Sequence, residues 1–248
     1  MLLENIIQKT NMKKLALSIF ILFFIAFSVN AQKFVIPLEG FSKKKAAYFH
    51  MEDGETIEGT LNGFKRTKGL IETVKMKDEK GNKLKVDPSK ISHMYLAPSA
   101  FAKLSASMEQ IYSVENWEKD NSINADLMKE GYVFFEKVKT KVKKKEDNLM
   151  LQVMNPSFSG VVKVYHDPFA GETASVGVGS LTLAGGLDKS YYVKKESDNA
   201  AYRLKKKEYK DQFEDLFGDS KEFMEKYGKD IKWSDFEEHI YEYTELMK

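Results

Sequence analysis

KAAYFHMEDGETIEGTL, residues 45–61, sets the reading of the whole chain. Two short β-rich runs flank Asp53-Gly54, and an Asp-Gly pair in that setting is a strong hairpin signal because it accepts the backbone of a tight turn. The same grammar continues outward through LIETVKMK (70–77), a turn around Lys80-Gly81-Asn82, KLKV (83–86) and ISHMYL (91–96). Residues 44–97 are therefore expected to form a meander of five short strands. Gly59, inside a strand, reads as a bulge or a corner.

The order of a hydrophobic strand, Asp53-Gly54, Ile57, Gly59, a second turn at Gly81 and a closing Ile91 resembles small five-stranded SH3-like or Sm-like barrels. The resemblance covers this part of the chain and implies a barrel-like module, with no activity attached.

Beyond it, SAFAKLSASMEQIY (99–112) suggests a short helix and KDNSINAD (119–126) a polar link, so 98–128 reads as a helical and linker segment between two β regions. The second, expected to be antiparallel and to span 129–205, comprises GYVFFEKVKTKVKKK (131–145), NLMLQVMN (148–155), GVVKVYH (160–166), SYYVKKE (190–196) and AYRLK (201–205). In the first of these runs Tyr132, Phe134, Val138 and Val142 fall on one face, and Lys137, Lys139, Lys141, Lys143 and Lys145 on the other. From 206 to 248 the period changes to that of helices. Glu208–Phe217 stops at Gly218 and Ser220–Tyr227 at Gly228, while Ser234 with Glu237 reads as a capping box opening a third helix. The fold expected is α+β: an antiparallel β-rich core with a C-terminal three-helix segment.

The first residues speak to compartment. Met12-Lys13-Lys14, the run LALSIFILFFIAF (15–27) and Val29-Asn30-Ala31 have the basic, apolar and small-residue order of a secretory signal, expected over 1–31 with cleavage after Ala31. A membrane anchor is the alternative, but the 13-residue run is short of the roughly 20 residues a spanning helix needs. Removing 1–31 lowers Lys+Arg from 39 to 36 and Asp+Glu from 37 to 36, so the mature chain lacks the basic field that draws nucleic acid. There is no cysteine, which excludes disulfides, thiolate metal sites and thiol nucleophiles. No transmembrane span is expected in the mature chain.

YYVKK (191–195), LFGDSKEF (216–223), EYTELMK (242–248) and a signal ending at Ala31-Gln32 are together similar to secreted proteins of the Bacteroidota that are themselves uncharacterised. That resemblance implies an exported protein, periplasmic or extracellular and peripheral to the outer membrane. It implies no chemistry.

Motifs for chemistry are few. GETASVGVGSLTLAGG (171–186) has five glycines, but Thr182 stands where a dinucleotide fingerprint needs its third glycine, Gly-Lys-Ser/Thr is missing, and a strand follows where phosphate loops need a helix. The passage 169–187 therefore reads as a glycine-rich loop between two strands. His50 and His93, on different strands, could meet, though a pair lacks a third ligand. His166-Asp167 suits a turn before Pro168, and Asp235, His239 and Glu242 share a helix face that reads as polar surface before it reads as a weak metal site. No catalytic, cofactor or metal residue is assigned. The lysine stripe Lys137–Lys145 could bind a polyanion such as lipopolysaccharide or an anionic polysaccharide, or simply guard a strand edge against pairing. The function expected is that of a non-catalytic envelope module that meets another envelope protein or a cell-surface component. A hydrolase with an unrecognised carboxylate site is the alternative.

Overall fold

A computed structural model describes residues 34–38, 40–100, 123–142, 145–170, 176–178, 181–184 and 187–248. The signal expected over 1–31 lies outside these residues, as do all but the first two residues of the helix expected over 99–112.

The opening stretch folds as its turn requires. β1 (Ala46–Met51) and β2 (Thr56–Thr67) pair antiparallel with His50 opposite Thr56, and the turn closes with the Gly54 N–H donating to Met51 O and the Glu55 N–H to Asp53 Oδ1. β3 (Leu70–Asp78), β4 (Lys83–Val86) and β5 (Ile91–Leu96) follow, and β5 returns to lie beside β1. Gly59 is not a bulge: it pairs in register with Asp78, and a Cβ there would come within 2.1 Å of Lys77 O, so glycine lets β3 approach closely. The bulge sits at Gly63, where the β2–β3 register shifts and φ is +137°.

The five strands do not stand alone. The second edge of β5 pairs antiparallel with β6 (Val133–Val142), giving one ten-stranded sheet in the order β4-β3-β2-β1-β5-β6-β12-β11-β8, with β7 (Lys145–Gln152) on the other side of β6. β8 (Val162–His166), β11 (Ser190–Lys195) and β12 (Ala201–Lys205) complete it. The ladder between β12 and β6 is parallel, so the sheet is mixed and the second region is not wholly antiparallel. Beyond β7, Val153 bridges Tyr165 and the Met154 N–H donates to Val164 O. β6, β7, β8, β11 and β12 are thereby joined edge to edge in a ring.

β6 lies inside the first of two cores. Val133, Phe134 and Phe135 are all buried, because Phe135 faces Phe41 on one side while Phe134 packs on Tyr95 on the other. A strand buried on both faces reads as a continuous apolar run, as YVFF does. The first core gathers Phe49, Leu61, Val74, Met76, Met94 and Leu96. The second packs Val162, Val164, Tyr191, Val193 and Leu204 under the C-terminal helices.

Those helices follow α1 (Ala125–Lys129), which Asn124 caps by accepting from the Asp126 and Leu127 N–H groups. α2 (Phe213–Phe217), α3 (Lys221–Tyr227) and α4 (Phe236–Leu246) lie at the C-terminal end. Ser220 caps α3 as its residue type suggests. Ser234 does not open α4: it lies within a 3-10 turn, Trp233–Asp235, its hydroxyl donating to Asp235. Trp233 stacks on Phe236 at 4.9 Å, so aromatic packing rather than a capping box sets the entry of this helix. The glycine passage carries a small hairpin of its own, β9 (Val176–Val178) with β10 (Leu181–Ala184), outside the main sheet.

Candidate functional site

The lysine stripe breaks where β6 ends. Lys137, Lys139 and Lys141 alternate along one face of β6; Lys143 lies outside the described residues; Lys145 starts β7 opposite Val142. Directly paired residues share a face, so Lys145 sits on the side opposite the other three. The reason is that β6 and β7 are separate strands paired antiparallel, where the alternation alone suggested one continuous strand. Lys137 is largely covered: its Nζ donates to Ser89 O and pairs with Glu52 at 2.8 Å. Lys139 pairs with Glu146 across the hairpin.

The histidines on β1 and β5 do meet. The ladder sets His50 opposite His93 and His93 opposite Glu136 of β6, so three titratable side chains form a row across three strands. The imidazoles stack with centroids 4.2 Å apart and planes 13° from parallel. Each Nδ1 meets a hydroxyl, Thr56 for His50 and Ser92 for His93, at 3.0 and 2.9 Å. Rings stacked in near-parallel planes cannot aim in-plane lone pairs at one ion, and among the described residues no group of three or more His, Asp or Glu could hold a metal. Burial, with the neighbouring His50, holds the His93 ring neutral to about pH 4, and burial lowers His50 as well.

Glu136 extends the row to β8. Lys163 Nζ donates to both its carboxylate oxygens at 3.0 and 2.9 Å, and the Tyr165 hydroxyl to Oε1 at 2.6 Å. Burial and this carboxylate push the Tyr165 phenol far above its ordinary value, so it stays a donor. Sequence reasoning missed Glu136 and Tyr165 because only the ring of strands brings β8 to β6.

A second polar cluster brackets the glycine passage. Asp167, fully buried, accepts from Ser190 Oγ at 2.6 Å, from the Phe169 N–H at 2.9 Å and from Arg203 Nε. His166 Nδ1 lies 3.1 Å from Asp188 Oδ2, and Trp233 Nε1 donates to Asp188 O. Residues just before and just after the passage are thus fastened by charge-assisted bonds. Ser190 touches a carboxylate and Arg203 but no imidazole, so the cluster is a clasp and not a nucleophile with its base.

His239 is not on a polar helix face. It is 1% exposed, walled by Phe213, Phe217, Phe223 and Tyr227, and its Nδ1 lies 2.6 Å from the Tyr209 hydroxyl. Burial brings its ring down to about 4. The spacing of Asp235, His239 and Glu242 suggested surface because α4 carries acids between its apolar positions; the aromatic shell of α2 and α3 decides otherwise.

An open groove of about 400 Å³ lies between the 40–43 segment and the bulged part of β2. Phe41 and Phe64 meet edge to face at 5.8 Å in it, the Arg66 guanidinium lies 5.2 Å over the Phe64 ring, and Lys43 stands at its rim. No atom lies within 4 Å of where a Cβ on Gly63 would be. Lys44 and Lys45, also exposed, extend the basic rim along the chain.

Compared with protein-family models, with curated proteins and with solved structures, the chain finds no match.

Proposed function

We propose that the protein is an exported, non-catalytic interaction module of the cell envelope, and that its partner is an envelope protein presenting an acidic segment with an aromatic or apolar side chain. The order of basic, apolar and small residues over 12–31 supports export. The observation that carries the binding reading is the groove: two rings in edge-to-face contact, flanked by Arg66 and Lys43 with exposed Lys44 and Lys45 next along the chain, offer an apolar seat inside a positive field. The carboxylates favour this over hydrolysis, since half-buried Glu136 is held by Lys163 and Tyr165, and buried Asp167 and Asp188 by Arg203 with Ser190 and by His166. A general acid or base needs a carboxylate free to exchange its proton with a substrate. Polyanion binding through Lys137, Lys139, Lys141, Lys143 and Lys145 is the less favoured reading, given the pairs made by Lys137 and Lys139.

The test is site-specific photo-crosslinking in cells exporting the full chain, with benzoylphenylalanine replacing Phe64 or, as a control, exposed Lys80. A dominant protein adduct is expected from position 64 and none from 80. Reversing Lys43, Lys44 and Lys45 to Glu should weaken that adduct by roughly tenfold. Equal adducts from both positions, or no effect of charge reversal, overturns the reading. Binding to lipopolysaccharide that is lost in Lys139→Ser/Lys141→Ser and kept in the Glu variant would favour the stripe instead.

A further inference from the structure

The row His50, His93, Glu136 lies where the two halves of the sheet join, and its last member is also the side-chain grip of β8 on β6. His93 is faced by His50 from β1, Tyr95 on its own strand, Glu136 from β6 and, through Glu136, by Lys163 and Tyr165 from β8. Glu136 is thus claimed by Lys163 and Tyr165, while His93 sits directly opposite it in register and uncharged.

We infer that this row is an acid-responsive joint: protonation of the stacked histidines drives the rings apart and turns His93 toward Glu136, which then gives up its hold on Lys163 and Tyr165 and loosens β8 from β6. Two like charges with ring centroids 4.2 Å apart repel strongly, and the nearest counter-charge for His93 is the carboxylate across the ladder. The direction is fixed by the sign of the equilibrium. Rings held below the ordinary histidine value stay neutral at pH 7 and keep the joint closed; as the pH falls from about 6.5 to about 4, they take up protons more readily in the open form. Because Glu136 serves both claimants, the device is a competition for one carboxylate.

Hydrogen exchange with mass spectrometry on the mature chain, corrected for intrinsic rates, reads this directly. Between pH 7 and pH 4 the segment 162–166 should lose protection by about tenfold and recover it when the pH is restored. His93→Gln should keep the pH 7 protection at pH 4. If His93→Gln is already unprotected at pH 7, His50→Gln carries the test, since removing the repelling neighbour should move the midpoint to lower pH. Unchanged protection in the wild type, an equal acid loss in a folded His93→Gln, or a wild-type midpoint in His50→Gln overturns the inference. The segment 236–246 serves as control, because its acid response belongs to His239 and should persist in both variants.

Discussion

The two cores are built from different materials. The first is a strand-on-strand core of Phe49, Leu61, Val74, Met76 and Met94, whose side chains alternate along short strands and interlock without directional bonds. The second is largely aromatic: Tyr209, Phe213, Phe217, Phe223 and Tyr227 surround His239, Phe236 and Tyr243 pack in the same core, and the phenols of Tyr209 and Tyr243 reach His239 and Asp219. Alternation along strands can absorb a changed side chain by small shifts of its neighbours. A nest of rings at 4.7 to 6.3 Å, with a polar atom at its centre, has fewer ways to adjust.

The comparison breaks most visibly at Phe236. It stacks on Trp233 and Tyr191 and meets Phe34 edge to face, so Phe236→Ala should cost about 3–5 kcal/mol in chemical denaturation. Acid comes next. Stability supplied by neutral His239 is complete above pH 6.5 and drains away as the pH falls towards about 4, on the order of 3 kcal/mol in all. His239→Gln should flatten that slope in a series of denaturation curves from pH 7 to pH 4, while lowering stability at pH 7. In the first core, Gly59→Ala places a methyl against the Lys77 carbonyl and should cost about 1–3 kcal/mol, sharpening the contrast if the sheet yields at the low end. The smallest effect belongs to the stripe. Lys139→Ser with Lys141→Ser should change the melting free energy by less than about 0.5 kcal/mol, since both are exposed lysines and Lys139 is held only by a surface pair with Glu146 among the described residues.

Much of this fold can be read from short-range signals. Asp53-Gly54, the turn at Gly81, Ser220 before α3 and the apolar positions of α4 each act through neighbours within a few residues. The errors share a cause. Lys145, Glu136, Gly59 and His239 owe their settings to partners on other elements: Val142 on the facing strand β6, Lys163 and Tyr165 through the ring of strands, Lys77 on β3, and the rings of α2 and α3. Alternation places a lysine on a face but not the point at which the strand doubles back. The clasp at Asp167 was illegible for the same reason, because Ser190 and Arg203 come from β11 and β12, beyond the glycine passage. The groove was illegible because a bulge at Gly63 has no fixed signature apart from glycine itself.

β6, buried on both faces in the first core, pairs with β12, whose Leu204 belongs to the second, so the two cores are expected to form one cooperative body that carries the groove and the acid-responsive row. Native-state hydrogen exchange against denaturant tests it most directly, following amides of β1 and β5 beside those of α4. The account predicts that the most protected amides of both sets converge on a single opening free energy at the same denaturant concentration. Two separate free energies, with α4 exchanging through an opening that leaves β1 and β5 protected, would contradict it.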